Sequence, residues 1–210
     1  MTTGADIAGA RLSVLLDVRH PFAYLALHPT VALAERLGVA VNWLPTSVPA
    51  LRRPSEPGEA DDRGIRHRRH RAQAIAREIE TYAAAQGLVV REYYRSGSSA
   101  AAVLGWLWTR DRNPDRLPSY LAELFRSYWA VELDPADLEE VAALVEAPVA
   151  FRRWCANGGP TTASAIEDEL RERGLYGTPA FLVEDEVFYG RQHLPMIRWI
   201  LEGRSGAVPI

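Results

Sequence analysis

The chain has 210 residues and a mass of 23.3 kDa, is 48% hydrophobic and 24% charged, and carries a formal net charge of −3. That is the composition of an ordinary globular protein, long enough to fold around its own core and too acidic for a general nucleic-acid or membrane-surface binder. A single cysteine, Cys155, and the complete absence of lysine exclude an internal disulfide, a C-x-x-C redox pair, a cysteine-rich zinc site, Schiff-base chemistry and a P-loop lysine.

The uncharged run from Ser96 to Thr109 is 14 residues long, short of the ~20 that a membrane-spanning helix needs. The N-terminal segment has Asp6, no basic start, and only Val14-Leu15-Leu16 as a first apolar run. No signal peptide is expected, so the expected compartment is the cytoplasm.

In chain order, Leu12 to Asp17 (LSVLLD) predicts a buried strand. Pro21 suits the first position of a helix running toward Leu37, with Pro29 expected to kink or split it and Gly38 to end it. Val39 to Leu44 predicts a second strand, completing a parallel βαβ unit. Pro45, Pro49, Pro54, Pro57 and Gly58 mark a long irregular loop. A helix follows from Ile65 to about Gln86, with Ile75, Ile79, Tyr82 and Ala83 on one face. Leu88 to Tyr94 reads as extended or irregular. Helices are expected over Ser99–Thr109, Leu117–Trp129, from an Asp137 cap to about Val145, over Phe151–Cys155, and over Thr162–Arg173. Ala180–Val183 and Val187–Tyr189, flanking Glu184-Asp185-Glu186, predict a hairpin. A last amphipathic helix starts at Pro195, with Ile197, Ile200 and Leu201 toward a core.

Three segments carry a resemblance. Gly177-Thr178-Pro179-Ala180-Phe181 resembles the cis-proline segment of thioredoxin-fold proteins. DVRHPFAYLA (Asp17 to Ala26) resembles the D-x-x-S-P-[YF]-x-Y-L-A segment of kappa-class glutathione transferases and 2-hydroxychromene-2-carboxylate isomerases, a branch of the DsbA-like superfamily. FRSYWAVELDPADLEEVA (Phe125 to Ala142) and GLYGTPAFLVEDEVFYG (Gly174 to Gly190) are similar to that family's helix-turn-helix and closing segment. The likeness implies an α/β thioredoxin-like fold, βαβ…ββα with a mixed four-stranded sheet. Residues 10–50 and 160–203 would form the thioredoxin-like domain and 60–158 an inserted all-helical subdomain. It further implies a small-molecule isomerase or thiol-transferase acting on an aromatic or conjugated carboxylic acid. Glutathione or another low-molecular-weight thiol would be the co-substrate, and a homodimer is compatible with it.

Departures from the family pattern shape the expected site. The family serine that contacts the glutathione sulfur falls on His20. The segment G-x-D-R-L, whose acid and arginine hold the peptide end of glutathione, reads Gly190-Arg191-Gln192-His193-Leu194, and the asparagine expected near the proline-rich loop has no match after Thr46. Glutathione dependence is therefore expected to be weak or absent. His20, between a strand end and a proline-started helix, faces the positive helix terminus, which disfavours imidazolium. A neutral acid/base is the functional reading, and a plain polar cap the structural one. Pro21, Phe22, Thr178 and Pro179 are expected to line the site. Thr178 would offer backbone groups to an extended ligand. Arg66 and Arg69, on one face with His70, are candidates to bind a carboxylate, and Gln192 and His193 to contact substrate. Most of Trp106, Trp108, Phe125, Trp129 and Trp154 are expected in the core, with one or two walling a pocket. Asp17 is expected to orient His20 or Arg19. Cys155, beside Arg152 and Arg153, would be reactive only if exposed. His67 and His70 lack a third ligand, so no metal site is expected. The alternative function is a redox-inactive DsbA-family binding module that holds a peptide or metabolite at the cis-proline.

Overall fold

The computed structural model describes residues 9–58 and 62–209. Strand β1 (Leu12–Leu16) has every side chain buried. It pairs in parallel with β2 (Asn42–Pro45) and antiparallel with β3 (Ala180–Val183), which pairs antiparallel with β4 (Glu186–Tyr189). The sheet order is β2-β1-β3-β4. Side chains of a strand alternate between faces, and here both faces are covered. Leu12, Val14, Leu16, Phe181 and Val183 meet α1 (Pro21–Leu37) and α8 (Leu194–Leu201). Leu15, Ala180 and Leu182 meet α3 (Ala100–Arg112) and α7 (Gly159–Glu172) on the other face. Burial on both faces is why these strands read as nearly unbroken apolar runs.

Helices α2 (Arg63–Gln86), α4 (Leu117–Trp129), α5 (Leu138–Ala142) and α6 (Pro148–Cys155) lie with α3 and α7 between β2 and β3 in the chain. Together these elements make an α/β thioredoxin-like fold carrying a helical insertion. No helix among the described residues is long and apolar enough to cross a membrane.

Four local expectations need correction. Helix α1 is continuous through Pro29. Proline cannot donate to the Leu25 carbonyl, but Gln86 Nε2, from the end of α2, does so at 3.1 Å. Thr30 Oγ1 also donates to the Ala26 carbonyl at 2.7 Å. Second, β2 starts at Asn42 rather than Val39. Gly38 ends α1 in the left-handed conformation at φ 60°, and the Val39 amide closes that end onto the Ala34 carbonyl. Third, α5 stops at Ala142, because Ala147 (φ 54°) and Pro148 turn the chain into α6. Fourth, of the α2 face formed by Ile75, Ile79, Tyr82 and Ala83 only Ile79 and Ala83 are buried; Tyr82 is exposed, with the Arg191 guanidinium 3.2 Å from its ring centroid.

Gly105 sits where α3 meets α4 and α5. A methyl group there would lie 2.6 Å from Val141 Cγ1 and against the buried Tyr120 hydroxyl. Overpacking of this kind costs about 1–3 kcal/mol. Gly105→Ala should therefore lower the urea midpoint by that amount of stability, and an unchanged midpoint would contradict the packing.

Candidate functional site

The end of β1 brings two distant segments together. The Asp17 amide donates to Thr178 Oγ1 at 3.0 Å, and Thr178 Oγ1 donates to the Leu15 carbonyl at 3.3 Å. The Asp17 carbonyl accepts the His20 amide at 3.0 Å. His20 and the Thr178–Pro179 segment, whose peptide bond is cis, are thus both tied to residue 17. The Pro179 carbonyl in turn accepts the Gly190 amide at 2.9 Å. That bond links the segment to the turn of Arg191, Gln192 and His193.

His20 is the residue before α1, with φ −104° and ψ 120°, and Pro21 opens the helix. Its side chain makes no capping hydrogen bond, so the plain polar-cap reading fails. The half-buried ring lies 5.8 Å from the Phe22 ring. Nδ1 is sealed from solvent without a partner, whereas Nε2 is not among the sealed atoms. Protonating this ring would bury an unsatisfied N–H at Nδ1. Burial lowers the His20 pKa from its ordinary 6.5, against a smaller opposing pull from the Asp17 carboxylate.

Linkage fixes the sign of the pH effect. Below about 6.5 the unfolded chain binds more protons at this histidine than the native one, so the ring's contribution to stability is present above pH ~6.5 and is lost as pH falls toward the native pKa. An NMR titration of the ring should give a value below 6.5, and His20→Gln should remove this part of the acid-side loss. A measured pKa above about 7 would refute the assignment.

Asp17, of the two roles considered for it, holds Arg19 and not the His20 ring. Its carboxylate is 1% exposed and accepts Arg19 Nε at 3.1 Å and Nη2 at 2.8 Å, together with the Arg19 and Val48 amides, each at 2.9 Å. This bidentate pair raises the Arg19 pKa. Arg19 also donates to the Gly97 carbonyl at 2.7 Å and Ser47 Oγ at 2.9 Å. The pair therefore fastens the end of β1, the loop after β2 and the segment before α3 around the base of His20. A D-x-R spacing at the end of a buried strand hints at the pair; Gly97 and Ser47 could not be read from it.

Arg69 does not stand free for a substrate. It donates to the Ser55 and Glu56 carbonyls at 2.8 Å each, pinning the proline-rich loop to α2. Arg66 is exposed on the first turn of α2. Gln192 donates back to the Tyr189 carbonyl at 3.0 Å, and the His193 ring lies 5.5 Å from Phe188. Trp106, Trp108, Phe125 and Trp129 are core, and Trp154 packs against it. No tryptophan lines the cavity beside the site. That cavity, about 370 Å³ between α3 and α7, is bounded by Arg19, Ser47, Ser99, Val103, Leu104 and Ala163. It is large enough for a small ligand. Burial pushes the Cys155 thiol up to about 11, so it stays protonated and unreactive.

The fold that holds these segments has relatives. The chain is 22% identical to 2-hydroxychromene-2-carboxylate isomerase from Sphingobium xenophagum over 191 residues, covering 86% of this chain and 92% of that protein. A solved 2-hydroxychromene-2-carboxylate isomerase superposes with a TM-score of 0.69 at 19% identity, covering 92% and 94% of the two chains. A probable DsbA oxidoreductase from Streptomyces coelicolor does so at 0.69 and 21%, covering 96% and 93%. The cytosolic disulfide reductase DsbM from Pseudomonas aeruginosa, solved with GSH, reaches 0.58 at 16%, covering 92% and 98%. At these identities the solved structures speak for the fold. Membership rests on the family model for the DSBA-like thioredoxin domain, which matches residues 11–202; the chain belongs to that family.

Proposed function

We propose that the protein is a small-molecule isomerase or thiol-transferase of the 2-hydroxychromene-2-carboxylate isomerase and kappa glutathione transferase type, acting on an aromatic or conjugated carboxylic acid. His20 is its acid/base. The observation that carries this reading is the His20 ring itself, with Nδ1 sealed without a partner, held before α1 by the Asp17 carbonyl while the Asp17 amide is bonded to Thr178. A DsbA-type oxidoreductase needs two cysteines at this helix start, and the chain has Ala23 and His20 where they would stand.

A neutral imidazole can take a proton from one atom of a conjugated acid at Nε2 and return it to another. Pro21 and Phe22, which follow the ring in α1, and Thr178-Pro179, tied to the same Asp17 backbone, would line the substrate site in this reading. The adjoining cavity past Arg19 takes the apolar body of the substrate. Gln192 and His193, with Arg191 before them, replace the acid-arginine pair that holds glutathione in the family, so the thiol is dispensable in this reading.

The test is the absorbance change of 2-hydroxychromene-2-carboxylate with and without glutathione. Catalysed conversion independent of glutathione is the expected result. Conversion that requires glutathione would move the chemistry to a thiol-addition route. A bound ligand that raises the melting temperature without turnover would leave the binding-module reading in its place; at 100 times its Kd a ligand adds about 2.7 kcal/mol of stability.

A further inference from the structure

We propose that the Tyr128 hydroxyl is the second polar group of the His20 site and donates a hydrogen bond to an oxygen of a carboxylic-acid ligand bound there. The class of ligand rests on the reading above; the placement of the hydroxyl does not.

The placement follows from how α4 crosses α1. The Tyr24 and Phe125 rings stack with centroids 5.8 Å apart. One turn back along α1 from Tyr24 is His20, and one turn forward along α4 from Phe125 is Tyr128. Arg19 and Asp17, the residues that fasten the base of His20, are both within electrostatic reach of the Tyr128 hydroxyl. The 95–97 segment completes the connection. Arg95 Nη1 donates to the Tyr128 carbonyl at 2.6 Å, and its guanidinium lies 4.3 Å from the Tyr128 ring centroid. Two residues further on, the Gly97 carbonyl holds Arg19.

The ring is fixed. It is 2% exposed, packed between Arg95 and the Trp129 ring, whose centroid is 5.0 Å away. Among the described residues its hydroxyl has no hydrogen-bond partner, yet it is not sealed. The Tyr120 hydroxyl, by contrast, is both unpartnered and sealed. A rigid phenol with an unused hydroxyl near Arg95 and Arg19, with the nearby Asp17 carboxylate already paired to Arg19, suits an anionic oxygen. Burial keeps it protonated, and hence a donor, at neutral pH.

Tyr128→Phe removes the hydroxyl and keeps the ring. The probe is trans-cinnamate, titrated calorimetrically into wild type and variant. A hydrogen bond to a charged group accounts for about tenfold or more in Kd, so the variant should bind cinnamate at least about tenfold more weakly with an unchanged melting temperature. Equal Kd values would overturn the proposal, as would a wild-type protein that does not bind cinnamate. A wild type that binds cinnamate in a Tyr128-dependent way but does not convert 2-hydroxychromene-2-carboxylate would sink the isomerase reading and leave this one standing.

Discussion

Replacing His20 with alanine should lower kcat on a conjugated aromatic acid by about 10²–10⁴-fold, the usual range for removing a positioned acid/base. The fold should survive, because the His20 side chain makes no hydrogen bond within the protein and its ring is only half buried. The backbone bonds that place it, from its amide to the Asp17 carbonyl and from the Ala23 amide to its own carbonyl at 3.0 Å, do not depend on the side chain. His20→Ser restores the residue found in the resembling family but has no group that titrates near pH 7, so it should not recover proton transfer. Circular dichroism melts alongside steady-state rates separate the two effects. A fully active alanine variant would remove the histidine from the chemistry.

Much of this frame is legible in the sequence, and the rest fails for identifiable reasons. β1 and β3 show themselves because both of their faces are covered, and the hairpin to the largely exposed β4 because Glu184, Asp185 and Glu186 mark its turn. Helix α4 runs from Leu117 to Trp129 as its pattern predicts. Where a local rule loses, the compensating group is far away in the chain. Pro29 stays inside α1 because Gln86 serves the Leu25 carbonyl it leaves bare, across 61 positions of chain. Arg69 looks like a free carboxylate ligand until Ser55 and Glu56, 14 and 13 residues earlier, fold back onto it. The pairing of His20 with Thr178 is suggested by the resemblance alone, since 158 positions separate them. The place of Tyr128 depends on the crossing of two helices, which no local pattern encodes.

Asp17→Ala should be the most destabilising single change at the site. The carboxylate is buried and holds a guanidinium that is itself only 13% exposed. Removing one partner of a buried pair costs about 3–5 kcal/mol, because the other charge is left uncompensated. For a chain of this length each kcal/mol moves the melting temperature by roughly 2–4 °C, giving an expected fall of about 6–20 °C. The Val48 amide loses its acceptor as well, so the loop after β2 loosens along the wall of the cavity. Asp17→Asn keeps one acceptor oxygen and should cost less. Arg19→Leu combined with Asp17→Ala should cost less than Asp17→Ala alone, because no unpaired guanidinium remains. There is also an electrostatic signature. The Asp17 charge favours protonation of His20 and opposes the effect of burial; its removal should push the ring's pKa lower still and leave the acid/base neutral over a wider pH range. A melting temperature within about 2 °C of wild type, or a His20 pKa that rises in Asp17→Ala, would show that the pair does not hold the site together.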